Sequence, residues 1–201
     1  MLSLNSGGFV LRALSDEDAP SIVEAVREST ATVGAWMSWA TPSYSHAEAI
    51  AWIRACETSR AEGTGYEFGI FTSATGRFVG AAGLNQFNKV NNFCNLGYWV
   101  RESAQRRGGA TAAVAALRNY AFNTLGLTRV EIVAAVGNDP SQSVARRAGA
   151  VLECTARNRL QLHGKAVDAC VFSLIPVPGT NSSTESGGQG RETLVAPHVI
   201  R

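Results

Sequence analysis

The amino-acid sequence predicts an α/β domain in which helices cover both faces of a mixed β-sheet. Strand-like and helix-like segments alternate along most of the chain, and their apolar residues repeat at the period of each element type. A strand, a helix and a second strand also follow one another between residues 93 and 137. Since a crossover of this kind usually sets its two strands side by side, we expect them to be parallel neighbours.

The first half of the chain predicts one strand, two helices and a three-strand meander. Residues 9–15, FVLRALS, alternate as a strand does, and Ser15 suits the N-cap of a helix in SDEDAPSIVEAVREST. A second helix, in HAEAIAWIRACETSRAEG, is indicated by helically spaced apolar residues: Ala47, Ile50, Ile53 and Cys56. The meander consists of YEFGIFT, RFVGAAGLNQF and FCNLGYWV, joined by the turn-like segments SATG and NKVNN.

The second half predicts a helix, a strand, a helix and two strands. The first helix, over about 109–125, has an apolar face made of Ala110, Val114, Leu117, Ala121 and Leu125. LTRVEIVAAV follows as a buried strand. In the short helix of DPSQSVARRAGA we expect Asp139 as the N-cap, Pro140 at the first position and Gly149 just past the end. The last strands lie around VLECTARNRLQLH and VDACVFSLI.

Length and composition set the broad class of the protein. The chain has 201 residues, which suits a domain over 1–176 and a tail over 177–201 that is rich in Gly, Ser and Pro. The net charge of only +2 argues against a nucleic-acid partner. No segment is apolar for long enough to span a bilayer, and we read no signal peptide. Four scattered cysteines without a CxxC pair predict free thiols, no metal site and a cytoplasmic location.

The segment QRRGGA, residues 105–110, joins the last meander strand to the next helix. A helix start exposes unpaired N–H groups and a partial positive charge, and Gly108 and Gly109 have no side chain to keep a phosphate away. Arg106 and Arg107 add charged donors at the rim. The junction therefore predicts an anion site, while a plain loop-to-helix turn with solvated arginines remains the alternative.

This segment also resembles the acetyl-CoA motif Q/R-x-x-G-x-G/A of the GNAT N-acetyltransferase superfamily, with Gln105, Gly108 and Ala110 at the fixed positions. NDPSQSVARRAGA, residues 138–150, is similar to a later motif of the family. NLGYWV resembles the family strand that pairs with the pantetheine. WMSW, LE at 152–153 and FSL at 172–174 resemble the RimJ/RimL branch, which acetylates ribosomal-protein N-termini. The resemblance covers residues 9–175 and implies a mostly antiparallel sheet whose central parallel pair splays apart.

The resemblance implies that acetyl-CoA is the cosubstrate and that no metal takes part. Backbone groups of Trp99 and Val100 would contact the pantetheine amides. Asn138 would contact the pantetheine arm, although an asparagine is equally common in a turn. The pyrophosphate would be held by the loop and helix start, where the implied residues are Gln105, Arg106, Arg107, Gly108, Gly109, Ala110 and Thr111.

Direct attack of an amine on the thioester requires a neutral amine, a polarised carbonyl and a proton for the leaving sulfur. The resemblance implies Ser141 as the proton donor, although serine is also common in a first helical turn. Asn85, Tyr98 and His163 are further polar candidates near the cleft. Where members of the branch carry a glutamate, this chain has Asn95 on one strand and no carboxylate in RNRLQLH. We therefore expect a site without a carboxylate base and an acceptor amine of low pKa.

Trp36 and Trp39 are expected to line the acceptor pocket, unless they belong to the core. Three functions remain open on the sequence. The first is acetylation of a protein or peptide N-terminal amine by a monomer or homodimer. The second is acetylation of a small amine such as an amino acid conjugate, a polyamine or an antibiotic. The third is a CoA-binding regulatory module without catalysis, which the missing carboxylate would suit.

Overall fold

The computed structural model describes residues 3–176 and is built around one sheet. Its strands are β1 Ser3–Ser6, β2 Phe9–Arg12, β3 Tyr66–Thr72, β4 Phe78–Asn88, β5 Phe93–Val100, β6 Arg129–Ala135, β7 Val151–Leu162 and β8 Lys165–Leu174. The helices are α1 Ala19–Glu28, α2 His46–Glu62, α3 Gly109–Asn123 and α4 Asp139–Arg147. The strand order is β1-β2-β3-β4-β5-β6-β8-β7, and β5 with β6 is the one parallel pair of this sheet within the described residues.

Each face of the sheet has its own hydrophobic cluster. Helices α3 and α4 cover one face, where the buried side chains include Phe68, Leu84, Leu96, Leu117, Ile132 and Phe172. Helices α1 and α2 cover the other, with Ile22, Val26, Ile53, Phe71 and Trp99. Since successive strand residues point to opposite faces, β5 supplies Leu96 to the first cluster and Trp99 to the second. The sheet therefore separates two compartments that meet at β5.

Helix ends follow local capping chemistry, with one difference from the sequence prediction. At the start of α2, Ser45 Oγ accepts a hydrogen bond from the Glu48 amide at 3.3 Å, and the Glu48 carboxylate accepts one from the Ser45 amide at 2.8 Å. At the start of α4 the N-cap is Asn138, whose side chain accepts from the Ser141 amide at 3.2 Å. Asp139 is the first helical residue and Pro140 the second, so the predicted start of α4, with Asp139 as the cap and Pro140 at the first position, is wrong.

The parallel pair opens into a wedge. Strands β5 and β6 are paired from Phe93 to Asn95 only, against Arg129–Glu131. Beyond Asn95, β5 stays with β4 as far as the Val100–Gly80 pair, while β6 stays with β8. Because each strand keeps its outer partner, the two must diverge, and backbone groups inside the wedge become available to a ligand. The predicted fold, a mixed and mostly antiparallel sheet with a splayed central pair, is confirmed.

Two features of the chain ends complete the comparison with the sequence. The structure adds an N-terminal strand, β1, which the sequence did not indicate; it reaches β2 through a turn in which Gly7 and Gly8 have positive φ. The predicted tail, 177–201, lies outside the described residues. None of the helices within residues 3–176 combines the length and apolarity needed to cross a bilayer.

Candidate active site

The wedge between β5 and β6 opens into a cleft of about 940 Å³. Its walls come from the diverging strands, the loop after β5, the start of α3, one side of α4 and the loop after α1. The expected cofactor residues that line it are Trp99, Val100, Gln105, Arg106, Gly108, Gly109, Ala110, Thr111 and Asn138. Residues from distant parts of the sequence thus converge at the carboxyl end of a parallel strand pair, where ligands of such sheets usually bind.

The backbone of the loop before α3 suits an anion. Arg106 has a φ of 61° and Gly108 a φ of 86°, so two left-handed residues flank Arg107 at the helix start. Left-handed residues beside right-handed ones turn successive N–H groups into a concave anion site, and the helix start adds its dipole. A Cβ at Gly108 would meet nothing within 4 Å, which leaves the approach to these N–H groups open. The loop and helix start, residues 105–110, therefore form a cradle of a kind that can hold a phosphate group.

The arginines that line the cleft are not the two that the sequence predicted. Arg106 lines the cleft, but the exposed Arg107 does not. Arg147, in the last turn of α4, does line the cleft. The structure therefore brings Arg106 and Arg147 together at the site and leaves Arg107 outside it. No motif or spacing in the sequence pointed to Arg147, because only the packing of α4 beside α3 brings it to the cleft.

Side chains hold the cradle in place. The Gln105 amide nitrogen donates to the Val100 carbonyl and to Thr32 Oγ1, each at 3.2 Å. Arg101, only 2% exposed, forms ion pairs with α1 that include one to Glu28. Hydrogen bonding to Arg101 lowers the pKa of Glu28 to about 2. These contacts tie the loop to β5 and α1, so its anion-binding conformation exists before a ligand arrives.

Ser141 and Tyr98 meet at the wedge. Ser141 Oγ donates to the Tyr98 hydroxyl at 3.2 Å, and that hydroxyl donates to the Ser141 carbonyl at 2.8 Å. Burial raises the pKa of Tyr98 to about 12, so the phenol keeps its proton at neutral pH. Two linked hydroxyls at the point where the strands part can supply a proton to a leaving sulfur.

A second pocket, of about 370 Å³, adjoins the cleft on the α1–α2 side of the sheet. Its walls are mainly apolar and include Ile22, Val26, Met37, Tyr44 and Trp52. Trp39, which is 44% exposed, lines the pocket and contacts the Trp99 ring edge-on at 5.7 Å. Both cavities are lined by Gly97, Tyr98 and Trp99. A molecule in the pocket would therefore lie directly beside one in the cleft.

Two other sequence candidates lie elsewhere. Trp36 lines the large cleft and not the pocket beside Trp39, so the prediction that both tryptophans line one pocket is wrong for Trp36. His163 lines neither cavity. Its backbone amide donates to Ser38 Oγ at 3.0 Å, and its ring Nε2 lies 3.0 Å from the Gly34 carbonyl. His163 thus fastens the β7–β8 turn to the loop between α1 and α2.

The structure also reveals a carboxylate that the sequence prediction missed. Glu67 on β3 lines the pocket and accepts a hydrogen bond from Asn85 Nδ2 at 3.1 Å; Asn85 in turn accepts one from Asn95 Nδ2 at 2.9 Å. Burial raises the pKa of Glu67, partly offset by its bond from Asn85 and by the charge of Arg60. The sequence prediction found no carboxylate on the strands where one was sought, whereas the structure places Glu67 in the pocket beside the cleft. A lone glutamate in the otherwise apolar strand YEFGIFT was the available signal.

Asn85 is therefore hydrogen-bonded to Glu67 and lies apart from the Tyr98–Ser141 pair. It lies on the α1–α2 side with Glu67, whereas Tyr98 packs towards the α3–α4 side. The structure divides the three predicted catalytic residues between the two sides of the sheet. Among residues 3–176, no cluster of three His, Cys, Asp or Glu side chains is placed to hold a metal ion.

Comparison with known proteins agrees with this geometry. Residues 9–151 match the family described as the acetyltransferase (GNAT) domain. The chain is 32% identical over 168 residues to a protein of Bacillus subtilis (strain 168) named "Putative ribosomal N-acetyltransferase YdaF", covering 83% of this chain and 91% of that one. A solved structure from Vibrio cholerae, described as "a putative ribosomal-protein-serine acetyltransferase", is 33% identical with a TM-score of 0.76, covering 87% and 98% of the two chains.

A second solved structure has the same fold and contains coenzyme A. It is described as RimL, a ribosomal L7/L12 alpha-N-protein acetyltransferase in complex with coenzyme A, and it has 23% identity and a TM-score of 0.78 over 87% of this chain and 98% of that one. The wedge, the cradle before α3 and the matched family agree on the cosubstrate, acetyl-CoA. The chain therefore belongs to the GNAT acetyltransferase family and is an acetyl-CoA-dependent N-acetyltransferase.

Proposed function

We propose that the protein acetylates the α-amine of a protein or peptide N-terminus by direct attack in a ternary complex. The observation that carries this proposal is the meeting of the two cavities at Gly97, Tyr98 and Trp99. Because the cavities are separate but share these residues, the enzyme can hold thioester and amine at once. Such positioning supplies effective molarities of about 10⁵ M or more in well-oriented systems.

In the proposed reaction the amine nitrogen attacks the thioester carbon and the carbon–sulfur bond breaks. The nitrogen must lose two protons if it enters as an ammonium ion, and the thiolate must gain one. The linked hydroxyls of Ser141 and Tyr98 lie where they can protonate the sulfur. The net products are an amide, the CoA thiol and one proton released to water.

Two considerations support an α-amine as the acceptor. Relatives at 32% and 33% identity bear names that refer to ribosomal proteins. At pH 7 the neutral form costs about 1.4 kcal/mol for an α-amine and about 4.6 kcal/mol for a lysine side chain, from ordinary pKa values of about 8 and 10.4. The same site therefore acetylates an α-amine faster. We place the reaction in the cytoplasm, where the buried thiols of Cys56, Cys94 and Cys170 would stay reduced.

An amine panel tests this proposal. The acceptors are a short lysine-containing peptide with a free N-terminus, the same peptide with a blocked N-terminus, and a small polyamine. Thiol release gives the rate, and mass spectrometry gives the modified atom. We expect fastest turnover of the free N-terminus at pH 7. Faster acetylation of the blocked peptide or of the polyamine would overturn the proposal, and binding of acetyl-CoA without any turnover would indicate a regulatory module.

A further inference from the structure

We infer that Glu67 is the residue that binds the acceptor ammonium in the pocket and takes its first proton. This inference rests on the direct attack proposed above. It gives the reaction a base that lies on β3, outside the two strands on which the family resemblance suggested one. The case is made by strand register, hydrogen bonding and the composition of the pocket walls.

Strand register places Glu67 in line with glycines of the next two strands of the sheet. Glu67 pairs with Gly83 across β3 and β4, and Gly83 pairs with Gly97 across β4 and β5. A Cβ added at Gly83 would lie 1.9 Å from Glu67 Oε2, so the carboxylate lies directly over this glycine. A Cβ at Gly97 would meet only the Asn85 amide nitrogen, at 4.0 Å. Because Gly83 and Gly97 have no side chains, nothing on these two strand positions separates Glu67 from the space above Gly97, which lines both cavities.

Hydrogen bonding fixes one carboxylate oxygen and leaves the other for a ligand. Asn85 Nδ2 donates to Glu67 Oε1, and Asn95 Nδ2 donates to Asn85 Oδ1, which sets the orientation of the Asn85 amide. Within residues 3–176 no donor is hydrogen-bonded to Oε2, the oxygen that lies over Gly83. An acceptor ammonium placed above Gly97 would supply that donor.

The neighbours of Glu67 act on its pKa in opposite directions, since burial raises it and the charge of Arg60 lowers it. Arg60 of α2 donates to the Glu67 backbone carbonyl and not to its carboxylate. The thiol of Cys56 faces Glu67 from the same helix, and burial raises the pKa of that thiol to about 12, so it stays neutral. Tyr44 and Glu48 also line the pocket. Burial raises the pKa of Glu67 towards the range in which a carboxylate accepts a proton from an amine.

The proton balance follows from these positions. The ammonium gives one proton to Glu67, and the nitrogen pair that this frees attacks the thioester carbon. As the carbon–sulfur bond breaks, the Ser141–Tyr98 hydroxyl pair protonates the sulfur, and the second proton of the nitrogen restores that pair. Glu67 then releases its proton to water before the next turnover. No further reactant is needed.

The pH dependence of kcat/KM for the acceptor tests this assignment. In the parent enzyme the ammonium form is productive, so kcat/KM rises through the pKa of Glu67 and then stays level up to the pKa of the amine. In Glu67→Gln only the neutral amine reacts, so kcat/KM rises about tenfold per pH unit up to about pH 8 for an α-amine. At pH 7 we expect Glu67→Gln to be slower than the parent by about 10²-fold, and this ratio to shrink about tenfold by pH 8.

Two further variants separate this role from a structural one. Gly83→Ala keeps Glu67 but places a methyl group where its carboxylate lies, so it should reproduce the pH profile of Glu67→Gln. Glu62→Gln makes the same chemical change at an exposed position of α2 and should behave as the parent. Melting curves and acetyl-CoA affinity identify any variant whose fold has changed. If one of the two pocket variants, Glu67→Gln or Gly83→Ala, has a changed fold, the pH profile of the other one tests the assignment.

The outcomes distinguish this assignment from the proposed function. Parallel pH profiles for the parent and both pocket variants would overturn the role of Glu67, whichever amine is the substrate. If the parent prefers lysine side chains, the proposed function fails, and the same profiles measured with the lysine peptide still decide on Glu67. A parent that acetylates no amine would overturn both.

Discussion

The Ser141 hydroxyl donates to the Tyr98 phenol at 3.2 Å, and that phenol donates back to the Ser141 carbonyl at 2.8 Å. The contact joins the first turn of α4 to β5 across the wedge. These two hydrogen bonds hold the side chain of Tyr98 and the first turn of α4 in one relative position. The pair can therefore act as one unit, at the place where we propose that the sulfur leaves.

We expect Ser141→Ala and Tyr98→Phe each to lower kcat by about 10²-fold, since each removes one member of a proton-donating pair. The double variant should be hardly slower than either single one, because groups that act as a unit lose their function together. Steady-state rates for the four enzymes complete this cycle. Effects that multiply would mean that the two hydroxyls act independently.

The cradle before α3 gives a prediction on cosubstrate affinity. Gly108→Val forces a branched residue into a φ of 86° and puts a side chain over the N–H groups, so it should remove most of the acetyl-CoA affinity. Gly126→Val is the control, because Gly126 also has a positive φ and open surroundings but lies outside the cleft. Arg107→Ala should cost little. Calorimetry with CoA measures all three, and unchanged affinity in Gly108→Val would rule out this phosphate position.

Substitution of each tryptophan in the loop between α1 and α2 should weaken the binding of a different substrate. Trp39→Ala should raise the KM of the acceptor and leave the Kd of acetyl-CoA unchanged, because Trp39 lines the smaller pocket. Trp36→Ala should weaken acetyl-CoA binding, because Trp36 lines the larger cleft. Initial rates with each substrate varied in turn measure both effects. The same change in both variants would contradict the separation of the two cavities.

Arg101 should link folding stability to pH. Its bond to Glu28 lowers the pKa of that carboxyl from 4.5 to about 2, so the pair stabilises the fold above pH 4.5 and loses this contribution as the pH falls towards 2. We expect Arg101→Met to lower the free energy of unfolding at pH 7 by about 3 kcal/mol.

The difference between the parent and Arg101→Met should shrink between pH 4.5 and 2, the range set by the pKa of Glu28. Urea unfolding at several pH values provides the measurement. A difference that stayed constant over this range would show that Arg101 contributes through packing and not through its charge.

The sequence by itself determined the features that depend on neighbouring residues. The order of strands and helices follows from apolar periodicity, because each period suits one backbone geometry. The cradle was predictable because Gly108 is adjacent to a helix start, and both its positive φ and the exposed N–H groups are local properties. Ser141 and Tyr98 could be proposed from motifs, although their contact could not.

Only the tertiary structure decided which side chains share a cavity. Glu67 lies open to the pocket because strand register places Gly83 beside it and Gly97 one strand further on. Arg147 enters the cleft through helix packing, and the loop after α1 sends Trp36 and Trp39 to different cavities. A shift of one residue in register would turn Glu67 to the opposite face of the sheet. Such contacts depend on how distant segments pair, which periodicity and motif spacing along the chain do not specify.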